Sequence, residues 1–183
     1  NILNAGFADL NNFFFLAPWI LLFLIPAITM KTFADEFRSG TIEILKTRPI
    51  TNVTLVLGKF FAILTLLIIV LIPTFVYAYS IHELGNPVGN LDYGSISGSY
   101  LGLFLLASSF ASIGIFTSTL SKNQVVAFLL GICMVFLFYY GFDAVSSLFG
   151  DYSYTIKLFG MNEHYKSISR GVIDSRDVLY FMS

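Results

Sequence analysis

A charged segment, residues 31–59, separates two long apolar runs and contains the residues best suited to chemistry. Gly40 breaks a helical pattern, and Thr41 can cap a second helix with Glu43 in its first turn, where the positive end of the helix dipole favours a carboxylate. Pro49 disfavours helix at the residue before it, so the predicted helix covers about two turns, residues 42–47. A helix this short is unstable alone in water and requires a surface to pack on.

Two kinds of surface could stabilise this short helix. Ile44 and Leu45 are apolar side chains that could insert into a groove on a cytoplasmic partner, where Glu36 and Glu43 could orient the helix through charged hydrogen bonds. The same apolar side chains could instead pack on the membrane surface or on the neighbouring loop. The residues alone leave both surfaces open.

Residue sets for catalysis, nucleotide binding or metal binding are missing from the sequence. Gly58 and Lys59 share only Gly-Lys with a phosphate-binding loop, without the earlier glycine or the Ser or Thr that holds Mg²⁺. Cys133 is the single cysteine, and His82 and His164 show no ligand spacing and are expected to be solvated loop residues. The chain is therefore predicted to be no enzyme, with no catalytic residue, no metal and no cofactor.

The elements that must position the charged segment are membrane spans. Apolar residues make up 56% of the 183 residues and charged residues only 11%, less than half the usual ~25%. About 20 residues of helix cross a ~30 Å hydrocarbon core. Four uncharged runs therefore predict an all-α, polytopic transmembrane helix bundle, with Pro26 and Pro73 bending two of the helices. The predicted spans are residues 13–32, 53–80, 97–120 and 124–148.

Lysine and arginine set the predicted orientation. The connections after the first and third spans hold six basic and three acidic side chains, whereas the other side holds four basic and eight acidic ones. The positive-inside rule places the first group in the cytoplasm and residues 81–96 in an outer loop. Both ends would then lie outside, so we expect two further spans beyond this chain, six in all. A net charge of -1 leaves no basic surface for nucleic acid.

Small residues recur every four positions at the start of the third span, at Gly94, Gly98 and Gly102. Small residues let membrane helices approach closely. Packing within the chain is the favoured interpretation, and contact with a second subunit is the alternative.

Several short motifs resemble those of the ABC-2 type transporter permeases, the membrane subunits of one class of ATP-binding cassette exporters. They are Ile-Pro-Ala-Ile-Thr-Met at 25–30, Phe-Ala-Asp-Glu at 33–36, Gly-Thr-Ile-Glu-Ile-Leu at 40–45, Arg-Pro-Ile at 48–50 and Leu-Gly-Lys at 57–59. With residues 169–174 and 177–181, the chain is most similar to the gliding-motility-associated permeases of that family. The resemblance covers nearly the whole chain.

The resemblance implies a single ABC-2 membrane domain over residues 1–183, in the cytoplasmic (inner) membrane. Residues 33–50 would form the coupling region, whose short helix contacts a separate cytoplasmic ABC ATPase. A second permease subunit would complete the transporter, and residues 149–177 would match short re-entrant helices on the outer side. The residues implied in ATPase coupling are Glu36, Gly40, Thr41, Glu43, Ile44, Leu45 and Pro49.

Two other function classes remain open from the sequence. A non-transporting membrane anchor or regulator of a motility or secretion machine would show the same spans. A channel or ion-coupled carrier is weakened, because such proteins usually place ionisable residues inside their spans and the uncharged runs at 13–30, 60–81 and 123–142 hold none.

Overall fold

The computed structural model describes residues 10–47, 49–84, 92–149, 152–171 and 174–183, and within these ranges all regular secondary structure is helical. Four helical segments are long and apolar enough to cross a membrane. This confirms the predicted all-α, polytopic bundle. The four segments are Asn11–Ser39, Asn52–Glu83, Tyr93–Thr119 and Gln124–Ser146.

The first segment joins helix α1 (Asn11–Thr29) to helix α2 (Lys31–Ser39). Met30 between them keeps helical angles, and its N–H donates to the Pro26 carbonyl over 2.9 Å. The helix therefore runs on past the predicted span into the charged segment. It ends at Gly40, whose φ of 73° is left-handed and favours glycine.

The second segment is interrupted at the predicted proline. Helix α3 (Thr41–Lys46) leads to helix α4 (Asn52–Leu71), which begins where the Thr51 hydroxyl accepts from the Thr54 N–H. Pro73 separates α4 from helix α5 (Thr74–Leu84), because proline cannot donate the next helical hydrogen bond.

The third segment, helix α6 (Tyr93–Thr119), is the centre of the bundle and contacts α1, α2, α4 and later helices. Its Leu106, Phe110 and Ala111 are fully buried. Asp92 caps it by accepting from the Ser95 N–H over 3.1 Å. Residues 93–96, assigned to the outer loop from the sequence, are thus helical, since the cap fixes the helix start ahead of the glycines.

The fourth segment contains a short π-helix. Helix α7 (Gln124–Phe136) continues through the π-helix Leu137–Gly141 into helix α8 (Phe142–Ser146). Three short helices follow, α9 (Ser153–Lys157), α10 (Met161–Ser169) and α11 (Ser175–Met182). Helices α9 and α10 lie within residues 149–177, the region predicted to be re-entrant, whereas α11 extends beyond it to Met182. The depth of this region in the membrane stays a prediction.

Many large apolar side chains remain exposed on the bundle, above all on α4 and α5. Soluble proteins rarely expose apolar surface on this scale, whereas helices that contact hydrocarbon chains are expected to do so. The main buried cluster lies between α1, α4, α6 and α7.

Candidate functional site

Helix α3 forms a short arm at the end of the α1–α2 helix. Gly40 is its N-cap and makes the turn between α2 and α3. The prediction that Thr41 caps this helix is wrong, because α3 begins at Thr41 and lacks a side-chain cap. The Thr41 hydroxyl instead shares a hydrogen bond of 2.9 Å with the hydroxyl of Ser39.

The apolar side chains of α3 face two environments. Ile42 packs against the main buried cluster, and Leu45 is half-buried. Ile44 is 63% exposed, and Glu43 beside it is also exposed. Of the two side chains predicted to enter a partner's groove, Ile44 therefore offers the larger free surface. Pro49 is exposed after the helix, and Arg48 lies outside the described residues.

Glu36 points into the bundle rather than towards a partner. Its Oε1 lies 2.5 Å from Nζ of Lys59 on α4, and both side chains are mostly buried. The same Nζ donates to the Thr32 carbonyl and lies 4.0 Å from the centre of the Phe33 ring. Lys59, which the sequence analysis considered as part of the Leu-Gly-Lys motif and as a basic loop residue, thus links α2 to α4.

Asp35 links α2 to α7 in a similar way. Nε2 of Gln124 donates to Oδ1 of Asp35, and Arg38 lies 3.3 Å from the same oxygen. Helix α2 is therefore held on two sides, by α4 and by α7. The arm formed by α3 starts from a firmly attached helix.

A second site is a cavity of about 600 Å³ among α1, the π-helix, α8 and α10. The ring of Trp19 lies 5.8 Å, centre to centre, from both Tyr139 and Tyr140 of the π-helix. Short π-helices frequently occur at functional sites. Apart from its aromatic content, no pattern in the sequence indicates this cavity. Six aromatic residues line it: Phe14, Phe15, Trp19, Tyr139, Tyr140 and Tyr165.

Charged and amide side chains complete the cavity wall. Asp143, Lys157, Glu163 and Lys166 line it, and Nδ2 of Asn162 donates to Oδ2 of Asp143. These groups lie at the end of the bundle opposite α3, where the sequence placed its outer segment.

Tyr165 of α10 joins the cavity to α1. Its hydroxyl donates to the Phe14 carbonyl over 2.8 Å. Burial, and to a smaller extent the neighbouring Tyr139, raises the pKa of Tyr165 well above its ordinary value. The hydroxyl therefore stays protonated and keeps donating at physiological pH.

His164 is not a solvated loop residue, and that prediction is wrong. Its Nδ1 lies 2.7 Å from Oδ1 of Asp177, and its Nε2 lies 2.8 Å from the Leu158 carbonyl. The imidazole also stacks on Tyr180 at 3.9 Å. Both ring nitrogens thus face oxygen atoms, so His164 pins α10 to α11 and to the turn after α9. His82 lies at the end of α5, with Nδ1 3.5 Å from Glu83.

Gly94, Gly98 and Gly102, which recur every four positions and are called the glycine ladder below, lie near the start of α6. The ladder faces α10 of the same chain. A Cβ on Gly98 would lie 2.5 Å from the Ile168 carbonyl oxygen, and one on Gly102 would lie 3.3 Å from side-chain atoms of Ile168 and Tyr165. Gly94 is less crowded and meets only an Asp92 oxygen at 3.3 Å. The first part of the third span therefore packs on α10.

These features define a class of protein. It is a multi-pass helical membrane protein with a short helical arm at one end and a cavity lined by aromatic and charged side chains at the other. A sequence model of the ABC-2 family transporter proteins matches residues 5–168. Because the match covers most of the chain, the chain belongs to the ABC-2 transporter family. No curated protein and no solved structure matches it.

Family membership fixes the coarse function. The chain is a permease subunit of an ABC transporter, a membrane transport subunit of a kind that generally lacks an ATPase site of its own. It is a multi-pass membrane protein, and membership implies an ABC ATPase as partner and membrane lipid as surroundings. The match is to the family as a whole and does not indicate the gliding-motility subgroup.

Proposed function

We propose that this chain is the permease of an exporter in which α3 couples ATP binding and hydrolysis, on a separate ATPase, to movement of the spans. The observation that carries the proposal is the exposed Ile44 on a six-residue helix. An isolated helix of this length needs a packing partner, and only Ile42 and part of Leu45 find one within the described chain. A groove on the ATPase would cover Ile44.

The candidate coupling residues have different roles in this proposal. Gly40 supplies the left-handed turn that sets the direction of the arm, and Pro49 follows three residues after the last helical residue, Lys46. Glu43 and Thr41 are exposed and available for polar contacts with the ATPase. Glu36 acts inside the permease instead, through Lys59.

The attachment of α2 provides a route for movement. Helices α1 and α2 form one continuous segment of 29 residues, about 43 Å long at ~1.5 Å per residue. Glu36 near one end is paired with α4, while Trp19 near the other end lines the outer cavity. A displacement of α3 would therefore tilt a helix that contributes to the cavity wall.

The remaining finer predictions belong to the same proposal. The arm would face the cytoplasm, the membrane would be the inner membrane, and the transporter would contain two permease subunits, identical or different. The resemblance of the whole motif set, including residues 169–174 and 177–181, to gliding-motility permeases suggests a role in motility. The charge asymmetry of the loops supports the orientation.

A pull-down of the ATPase by the full-length permease in detergent tests the coupling role. Burying Ile44 is worth roughly 1.5–3 kcal/mol, so Ile44→Asp is expected to weaken ATPase binding by about ten-fold or more. Leu45→Asp should weaken it less, because Leu45 is already half-buried in the permease.

Val53→Asp is the matched control. Val53 is 66% exposed, in the first turn of α4 and on the same side of the bundle. An aspartate there is compatible with the helix N-terminus, so ATPase binding should remain normal. The coupling role of α3 is refuted if Ile44→Asp inserts, runs as a single species on size exclusion and retains the ATPase as well as wild type does.

A further inference from the structure

Two contrasting sets of side chains line the outer cavity. One set is aromatic, with Trp19 of α1 beside Tyr140 of the π-helix. The other consists of lysine and carboxylate side chains from α8, α9 and α10. Its volume of about 600 Å³ falls in the usual range for small-molecule sites, roughly 300–1,000 Å³. The cavity is thus large enough for a ligand headgroup.

The charged lining is balanced in sign. Lys157 and Lys166 line the same cavity as Asp143 and Glu163. Within the described part of the chain, Lys157, Lys166 and Glu163 form no ion pair. Asp143 accepts one hydrogen bond, from the side-chain amide of Asn162. A wall with both signs and no net formal charge suits a ligand that itself carries a cation and an anion.

The cavity is continuous with an apolar surface. Phe15 lines the cavity and is 66% exposed on α1, on the same helix as the exposed Leu16 and Ile20. In a membrane this exposed surface would contact hydrocarbon chains. A ligand in the cavity could therefore extend an apolar tail along α1.

We propose that the cavity binds an amphiphile with a zwitterionic headgroup, of the phosphatidylethanolamine type. The ammonium group would lie on the Trp19 and Tyr140 rings and near the carboxylates, since aromatic faces attract cations. The phosphate would be held by Lys157 and Lys166. The acyl chains would leave the cavity past Phe15. That this amphiphile is the transported substrate rests on the proposed function, whereas its binding does not.

Trp19 provides the probe, because it is the single tryptophan of the 183 residues and lines the cavity. The full-length permease, without its ATPase, is titrated in mild detergent with dihexanoyl phosphatidylethanolamine, and Trp19 emission is followed after subtraction of the Trp19→Phe variant. We expect a saturable change. Dihexanoyl phosphatidylglycerol, which lacks the ammonium group, and a dialkyl trimethylammonium cation, which lacks the phosphate, should each bind about ten-fold more weakly.

Charge-neutral variants locate the site. Glu163→Gln and Lys166→Gln should each weaken phosphatidylethanolamine binding about five-fold to ten-fold, since each removes one charged contact. Glu83→Gln and Lys122→Gln, which make the same changes away from the cavity, should leave binding unchanged. Glycerophosphoethanolamine, which has the headgroup without acyl chains, should bind at least about ten-fold more weakly than the lipid.

Three results would overturn the proposal: equal affinity for all three headgroups, wild-type affinity in both cavity variants, or equal binding of the lipid and its chain-free headgroup. Because binding is measured without the ATPase, these results are independent of the pull-down with Ile44→Asp. Lipid binding with normal ATPase retention by Ile44→Asp would leave the cavity assignment standing and remove only the coupling role of α3.

Discussion

Adding one methyl group at each rung of the glycine ladder should give graded effects. At Gly98 the new Cβ would lie 2.5 Å from the Ile168 carbonyl oxygen and 3.1 Å from Cα of Gly171. Both neighbours are backbone atoms, so they cannot rotate away and α10 must move. At Gly102 the nearest atoms belong to side chains at 3.3 Å, and at Gly94 to the Asp92 carboxylate. The expected order of damage is therefore Gly98, then Gly102, then Gly94.

The magnitude follows from two opposing terms. Replacing a helical glycine by alanine stabilises the helix by up to about 1 kcal/mol when space allows. Overpacking a tight contact costs about 1–3 kcal/mol. Because Gly98 has the tightest contact, Gly98→Ala should lie at the upper end of the difference and destabilise by about 2 kcal/mol, while Gly94→Ala should be close to neutral. Gly58→Ala is the matched control, because a Cβ on Gly58 meets no atom within 4 Å, and it should stabilise slightly.

The assay is the thermal denaturation midpoint of the full-length permease in one detergent, at about 2–4 °C per kcal/mol for a protein of this size. Gly98→Ala should lower the midpoint by several degrees and Gly58→Ala should not lower it. The packing of α6 on α10 is refuted if Gly98→Ala is as stable as Gly58→Ala. If all three ladder variants keep the midpoint but lose a crosslinked dimer, the ladder contacts a second subunit instead.

Two further predictions concern the charged segment. Lys59→Met keeps the apolar stem beside Phe33 but leaves the mostly buried Glu36 carboxylate without its cation. The thermal midpoint should therefore fall by the equivalent of about 1–3 kcal/mol. Adding Glu36→Gln should restore most of that loss, and no restoration would contradict the pairing. For orientation, single cysteines at Ser39 and Tyr93 in a Cys133→Ala background should be labelled from opposite sides of the membrane. An impermeant reagent on intact cells should label only the cysteine at 93; labelling of both would refute the predicted topology, and labelling of only the cysteine at 39 would reverse the orientation.

Much of the fold could be predicted from residue type and order. Long uncharged runs can satisfy their backbone in hydrocarbon only as helices, so the four apolar segments were predictable without any tertiary information. Gly40 and Pro73 act locally on the backbone, and both interrupt helices where the sequence indicated. The start of α6 was less predictable, because the Asp92 cap competes with a run of glycine and serine that is typical of a loop.

Side-chain roles that depend on distant partners could not be predicted from one sequence. Glu36 and Glu43 lie on one short charged segment and look equivalent along the chain, yet Glu36 meets Lys59, 23 positions later, while Glu43 remains exposed. The difference arises because α4 returns along α2 only after the turn through α3. Thr41 shows the same limit on a smaller scale. The helix starts at Thr41 itself, so Gly40 occupies the capping position and the Thr41 hydroxyl does not cap the helix.

The π-helix and His164 show why the part of the bundle around the cavity was harder to predict from the sequence than the part around α3. A π-helix has no distinct local pattern, and the run at 137–141 reads as ordinary apolar helix. Its effect is spatial: it places Tyr139 and Tyr140 around Trp19, 120 or more positions away. His164 likewise meets Asp177 only because α11 folds back on α10. The arm at α3 could be predicted because glycine and proline act on the local backbone. The cavity could not, because it depends on contacts between residues far apart in the sequence. Variants at the cavity should therefore be chosen from the structure.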